Sequence, residues 1–247
     1  MERTAGAALG TQALAFLGAL TGVTGALALL GLLLWLGYSG ELPWRRPSGP
    51  WSGTIDLGWL LLFAVQHSGM ARASFKRWCR SVLPVPLERP LYLAASGLIS
   101  LGLVLTWQPI AGEPWWHGPK WLTSIAILAS FGVGLTAMRQ GATSFLGLRD
   151  DADSTAGPLL VSGPYRFVRH PMMAGTLVLL WVHPVMTPTL ALLSGGLSLY
   201  VLLGTWLEER DLLRRFGAAY RAYRQRVPAL LPWRRPAPAA SYPAERD

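Results

Sequence analysis

The stretch VSGPYRFVRHPMMAG, residues 161–175, decides how the rest of the chain is read. Tyr165, Arg166, Arg169 and His170 stand just before a proline, and the chain then runs straight into an apolar helical pattern. Cations at the mouth of an apolar segment are costly unless they are solvated, paired or used. Met172 to Val182 supplies only eleven residues before His183-Pro184 and Thr187-Pro188 interrupt, and Thr189 to Leu207 is apolar again. Eleven residues at a rise of about 1.5 Å cover roughly half of a ~30 Å hydrocarbon core. The pattern predicts a helical hairpin that begins at Pro171, re-entrant or with its first arm extended backwards, and returns to the side it left.

Working upstream, four more apolar runs appear at about Leu9–Leu36, Ile55–His67, Leu91–Trp107 and Trp121–Met138. The composition, 51% hydrophobic and 14% charged over 247 residues, is wrong for a soluble domain. The first run is too long for a signal-peptide core of roughly 7 to 15 residues and has only Arg3 before it, so it reads as a retained transmembrane helix. Gly18 with Gly22, and Gly6 with Gly10, have the spacing that lets a neighbouring helix approach closely. The predicted fold is an all-α integral membrane protein with about five to six transmembrane helical segments, the C-terminal hairpin among them, followed by a cytoplasmic amphipathic helix. Residues 1–138 form the N-terminal helices and 139–247 a C-terminal core.

Charge sets the orientation. The net charge is +9, but the cations lie between apolar runs and in the tail, which points to membrane topology and away from nucleic acid. With the N-terminus inside, nineteen Lys and Arg fall on the inner side and only Arg45, Arg46 and Lys120 on the other. The N-terminus, residues 161–171 and the tail are therefore expected at the cytoplasmic face. Cys79 is the single cysteine, so no intrachain disulfide forms. Asp150, Asp151 and Asp153 fit no calcium loop, and no metal site is expected.

The tail carries the second polar cluster, Glu208-Glu209-Arg210, at the end of the hairpin. Beyond it Leu213, Phe216, Tyr220 and Tyr223 recur at helical spacing. With Glu209 they lie within about 40° of one line at 100° per residue, provided Gly217 continues the helix. The returning hairpin brings Arg169 and His170 to the same face as Glu208 and Glu209. Two readings stand at this point: a salt bridge that closes the hairpin, or a site for a zwitterion with a carboxylate, an amine and a further positive centre. His67, in VQHSGM, is a helix-end polar residue or an imidazole able to favour the thiolate of a bound thiol.

The run GPYRFVRHPMMAG, a hairpin, a Glu-Glu pair and then FGAAYRAYRQRVPALLP resemble the C-terminal signature of the isoprenylcysteine carboxyl methyltransferase-like membrane family. LLFAVQHSGMARASFKRW, PLERPLYLAASGLISLGLVLTWQPI and TSFLGLRD extend the resemblance to bacterial methanethiol S-methyltransferases, which share this core. The resemblance implies S-adenosylmethionine as cofactor and a small hydrophobic thiol as methyl acceptor, or a larger lipidic thiol or carboxylate. Carried over by position, the cofactor-binding residues are Tyr165, Arg169, His170, Pro171, Glu208, Glu209, Tyr220 and Tyr223, and the catalytic ones His67 and Arg169. Met173 departs from the pattern, standing where members of the family often have Tyr or another residue, so no cofactor contact is carried over to it. NnrU relatives have a similar His-Ser element, and a histidine there implies a haem-binding alternative for His67. No strand–helix alternation with a Gly-rich turn occurs, which excludes a soluble Rossmann-type methyltransferase.

Overall fold

The computed structural model describes residues 2–44, 46–145 and 159–242. Seven α-helices dominate the described residues: α1 Glu2–Ser39, α2 Ser52–Ala71, α3 Ala73–Val82, α4 Glu88–Thr106, α5 Lys120–Phe145, α6 Pro171–Trp181 and α7 Pro188–Arg226. Three are long and apolar enough to cross a membrane, over Gly10–Ser39, Val85–Thr106 and Pro188–Arg226. Each predicted apolar run is a helix, because an uninterrupted apolar segment can satisfy its backbone in lipid only internally. Two features were not predicted. The cationic loop after His67 contains α3, which buries Cys79 completely. Two short antiparallel pairs also form: β1 Trp116–His117 with β3 Val185–Met186, and β2 Leu159–Val161 with β4 Ala240–Tyr242. The acidic run Asp150 to Asp153 lies outside the described residues.

The chain forms two compact units. The first comprises Met1–Gly118 with Pro184–Leu197. Its centre is the packing of α1 on α4, where side chains give way to backbone. A Cβ at Gly18 would lie 2.5 Å from the Pro90 carbonyl oxygen, and one at Gly22 would lie 3.0 Å from Leu93 Cβ. Gly25 and Gly97 face each other with still less room, and a Cβ on Gly97 would run into the Thr21 carbonyl. The Gly18–Gly22 spacing is thus used as expected, whereas Gly10 meets nothing within 4 Å. Small residues allow the close approach that dispersion needs where lipid gives no hydrophobic drive. Gly97→Ala is therefore expected to cost about 1 to 3 kcal/mol, as other overpacked cores do. Gly58→Ala in α2, where a Cβ has open space, is expected to leave stability unchanged or slightly raised. Thermal unfolding of the two variants in detergent measures the contrast.

The second unit comprises Pro119–His183 with Ser198–Asp247. Here α6 packs on α5, with Gly175 against Ser130, and Trp181 Nε1 donates to Ser198 Oγ at 2.8 Å. At the charged end of α6 a separate core gathers Val161, Phe216, Tyr220, Tyr223, Val227 and Ala237. The structure corrects the uninterrupted tail helix: Gly217 has φ 43° and ψ −116°, a left-handed backbone that breaks α7. A straight helix would separate the Cα atoms of Glu209 and Tyr220 by about 16 Å. The break lets Tyr220 reach Glu209 instead, because glycine takes this conformation without a steric cost.

Candidate functional site

Residues 162–171 form the first wall of the cluster. Gly163, with φ 51°, opens a short 3₁₀ turn over Gly163–Arg166, and Pro171 occupies the first position of α6, where a missing N–H costs nothing. Between them the backbone is tied to the tail. Arg169 N–H donates to the Pro228 carbonyl at 2.9 Å and His170 N–H to that of Ala229 at 3.0 Å. The Arg166 side chain donates to the Ala237 carbonyl at 2.6 Å, and Ala237 N–H returns a bond to the Arg166 carbonyl at 2.9 Å.

The centre of the cluster is Glu209, buried at 8% exposure. Its Oε1 accepts from Arg169 Nε at 2.7 Å, His170 Nε2 at 2.9 Å and the Tyr220 hydroxyl at 2.7 Å. Its Oε2 accepts from Arg169 Nη2 at 3.0 Å and lies 3.1 Å from Arg224 Nε. Five contacts from four side chains fill what a carboxylate can accept, the geometry in which a buried charge is tolerated. Arg169 is as fully committed: its remaining nitrogen, Nη1, donates to the carbonyls of Val227 and Arg224. Tyr223 donates its hydroxyl to the Tyr165 carbonyl at 2.6 Å.

Glu208 differs. Its side chain is 50% exposed, and its Oε2 lies 3.5 Å from His170 Nδ1. Both ring nitrogens of His170 therefore face carboxylate oxygens, which suits the imidazolium, with an N–H on each side. Burial opposes that charge, but the hydrogen bonds and fields of Glu208 and Glu209 outweigh it and hold the His170 pKa above its ordinary 6.5. A raised folded-state pKa contributes stability that is complete below pH 6.5 and is lost as pH climbs through the folded value. Wild-type protein is expected to lose melting temperature between pH 6.5 and the alkaline side more steeply than His170→Gln, a difference that scanning fluorimetry at stepped pH will read.

The cluster is thus a row of alternating charge, Arg224, Glu209, His170 and Glu208, buried in the middle and open at both ends. Arg224 and Glu208 are 43% and 50% exposed. A ligand with both an ammonium and a carboxylate fits such open ends chemically, whereas Arg169 and Glu209 are already satisfied by the protein. The predicted partners Arg169, His170, Glu208, Glu209, Tyr165, Tyr220 and Tyr223 are brought together here, with Pro171 beneath them. Arg224 and the carbonyls of Val227, Pro228 and Ala229 were missed. The one signal for them was a glycine inside an otherwise helical tail.

His67 belongs to the first unit. Its ring stacks on Phe63 with centroids 5.1 Å apart. The Tyr92 hydroxyl lies 2.7 Å from Nε2, and Ser96 Oγ lies 3.3 Å from Nδ1. Gln66 Nε2 donates to Ser96 at 3.2 Å, completing a polar group between α2 and α4 that the sequence did not reveal.

Three helices long and apolar enough to cross a membrane mark a mostly helical integral membrane protein. A family model described as "NnrU protein" matches residues 57–234, and the chain belongs to that family. Among curated proteins, Methanethiol S-methyltransferase 2 of Bradyrhizobium diazoefficiens is 38% identical over 191 residues, covering 72% of this chain and 72% of the relative. Methanethiol S-methyltransferase of Pseudomonas deceptionensis is 36% identical, covering 75% and 74%. The protein of the same name from Pseudomonas sp. (strain GM41(2012)) is 35% identical over 85% of both chains. No solved structure matches the chain.

Proposed function

We propose that the chain is an S-adenosylmethionine-dependent membrane S-methyltransferase that methylates a small thiol, methanethiol first, to give a thioether. The observation that carries this reading is the similarity, over most of its length, to several proteins named methanethiol S-methyltransferase. The charge row within the matched residues supports it. The bound cofactor would supply a methyl group activated on a sulfonium, whose leaving group needs no acid.

The chain's residues then have three tasks. Glu208 and Arg224 hold the cationic and anionic ends of the amino-acid portion. Arg169, Glu209 and Tyr220 fix His170 and the tail, so that Arg169 acts by positioning. His67 takes the thiol proton, with Tyr92 and Ser96 orienting its ring, because the thiolate is the nucleophile. The remaining contribution is approximation of two bound reactants. The bias of cations supports a reading in which the N-terminus, the charge row and the tail face the cytoplasm, in a bacterial inner membrane. Methanethiol and its thioether enter and leave through the bilayer.

Calorimetric titration of the detergent-purified protein with S-adenosylmethionine and S-adenosylhomocysteine tests the reading, followed by headspace detection of dimethyl sulfide from methanethiol. Saturable binding and product are expected. Folded protein that binds neither nucleoside overturns the proposal, and a Soret band in the same preparation would favour haem at His67.

A further inference from the structure

A cavity lies within the first unit, and none of the site residues named above lines it. It has a volume of about 510 Å³, in the range of sites that hold small molecules. Its walls come from the loop after α1, the loop after α4 and the approach to α7. Two of the chain's positive-φ glycines shape it. Gly40, at φ 76°, comes up to Val185, and Gly112, at φ 144°, comes up to the Pro188 ring.

The depth of the cavity is fixed by the helices around it. The three apolar spans end at Ser39, end at Thr106 and begin at Pro188. The lining residues begin at Gly40, at Pro109 and at Thr187. All three spans therefore stop at the same cavity, which puts it at the level of lipid headgroups.

Its polar groups are of two kinds. Trp44 Nε1 is buried with no acceptor among the described residues. Thr187, only 7% exposed, accepts from Leu190 N–H at 3.3 Å and still has its own hydroxyl proton to give. Arg46 donates to the Leu105 and Thr106 carbonyls at 2.6 and 3.4 Å, capping α4, and has further N–H groups to spare. These are donors suited to a phosphate. The Glu41 carboxylate makes no hydrogen bond or ion pair among the described residues, and Ser39 Oγ fixes its backbone on both sides. That is an acceptor suited to an ammonium. Leu42, Pro47, Pro109 and Ile110 give the apolar wall on which a glycerol and the first methylenes rest.

We infer that this cavity binds the headgroup of an aminophospholipid, its phosphodiester on Arg46, Trp44 and Thr187 and its primary ammonium on Glu41. The choice of amine follows from the acceptor. A quaternary choline has no N–H for Glu41, and an anionic glycerol headgroup meets its charge with the same sign.

The test is lipid retention by the full-length protein. Protein purified in detergent is incubated with equal parts of palmitoyl-oleoyl phosphatidylethanolamine, phosphatidylcholine and phosphatidylglycerol, and retained lipid is counted by native mass spectrometry. Phosphatidylethanolamine is expected in excess. Arg46→Gln, Trp44→Phe and Glu41→Gln are each expected to lower its retention about tenfold, the worth of one charge-assisted or buried hydrogen bond. Arg46→Gln also removes a helix cap, so Trp44→Phe and Glu41→Gln, which leave the cap intact, keep the test valid if that variant unfolds. Equal retention of the three lipids, or retention unchanged in Trp44→Phe and Glu41→Gln, overturns the inference. Saturation by water-soluble glycerophosphoethanolamine with no retained lipid assigns the cavity to a soluble phosphate-amine and overturns the lipid reading.

Discussion

Glu209→Ala is expected to be among the most damaging single substitutions in the second unit, lowering stability by about 3 to 5 kcal/mol and abolishing cofactor binding. The size follows from what stays behind. Arg169, whose side chain is 8% exposed, and His170 would be left buried without the carboxylate that holds both. The Tyr220 hydroxyl would lose its acceptor too. Removing one partner of a buried pair costs far more than the pair contributes, so the double variant Arg169→Met with Glu209→Leu should recover part of the loss. Urea or thermal unfolding of the two single variants and the double variant gives the coupling directly. If Glu209→Ala melts like wild type, the network does not close this unit.

Glu208→Gln should behave in the opposite way. Its side chain is half-exposed and faces only the far nitrogen of His170, so melting should change by less than about 1 kcal/mol. Affinity for S-adenosylmethionine should nevertheless fall about tenfold or more, because a hydrogen bond from an ammonium to a carboxylate is worth about 1.5 to 3 kcal/mol. Under the proposed function the two adjacent carboxylates would thus be separable: Glu209 supports the fold, and Glu208 would meet the ligand. Unchanged affinity in a well-folded Glu208→Gln protein would move the cofactor elsewhere.

How far the sequence was legible can be judged residue by residue. The apolar runs were readable because length and composition mark a membrane helix, and α4 follows its run closely, whereas α7 continues beyond the expected end at Leu207 to Arg226. The meeting of Arg169 with Glu209, forty residues apart, was readable from the hairpin, since a chain that turns back must bring its ends to one side. Arg224 was not, because its position depends on Gly217 leaving the helix, and the residue type only permits that bend. Tyr92 and Ser96 were hidden for another reason: their approach to His67 depends on the register of α4 against α2, which no local pattern encodes. The strands of two or three residues carry too little pattern to stand out.

The carbonyls of Val227, Pro228, Ala229 and Ala237 all lie downstream of every apolar helix, yet they bind the Arg166–His170 segment. During synthesis the helices emerge first, and Arg169 then stands charged and uncapped until the tail has been made and folds back. The site is accordingly completed after insertion. A chain that ends before Pro228 would leave the backbone N–H groups of Arg169 and His170 without the acceptors that hold them here.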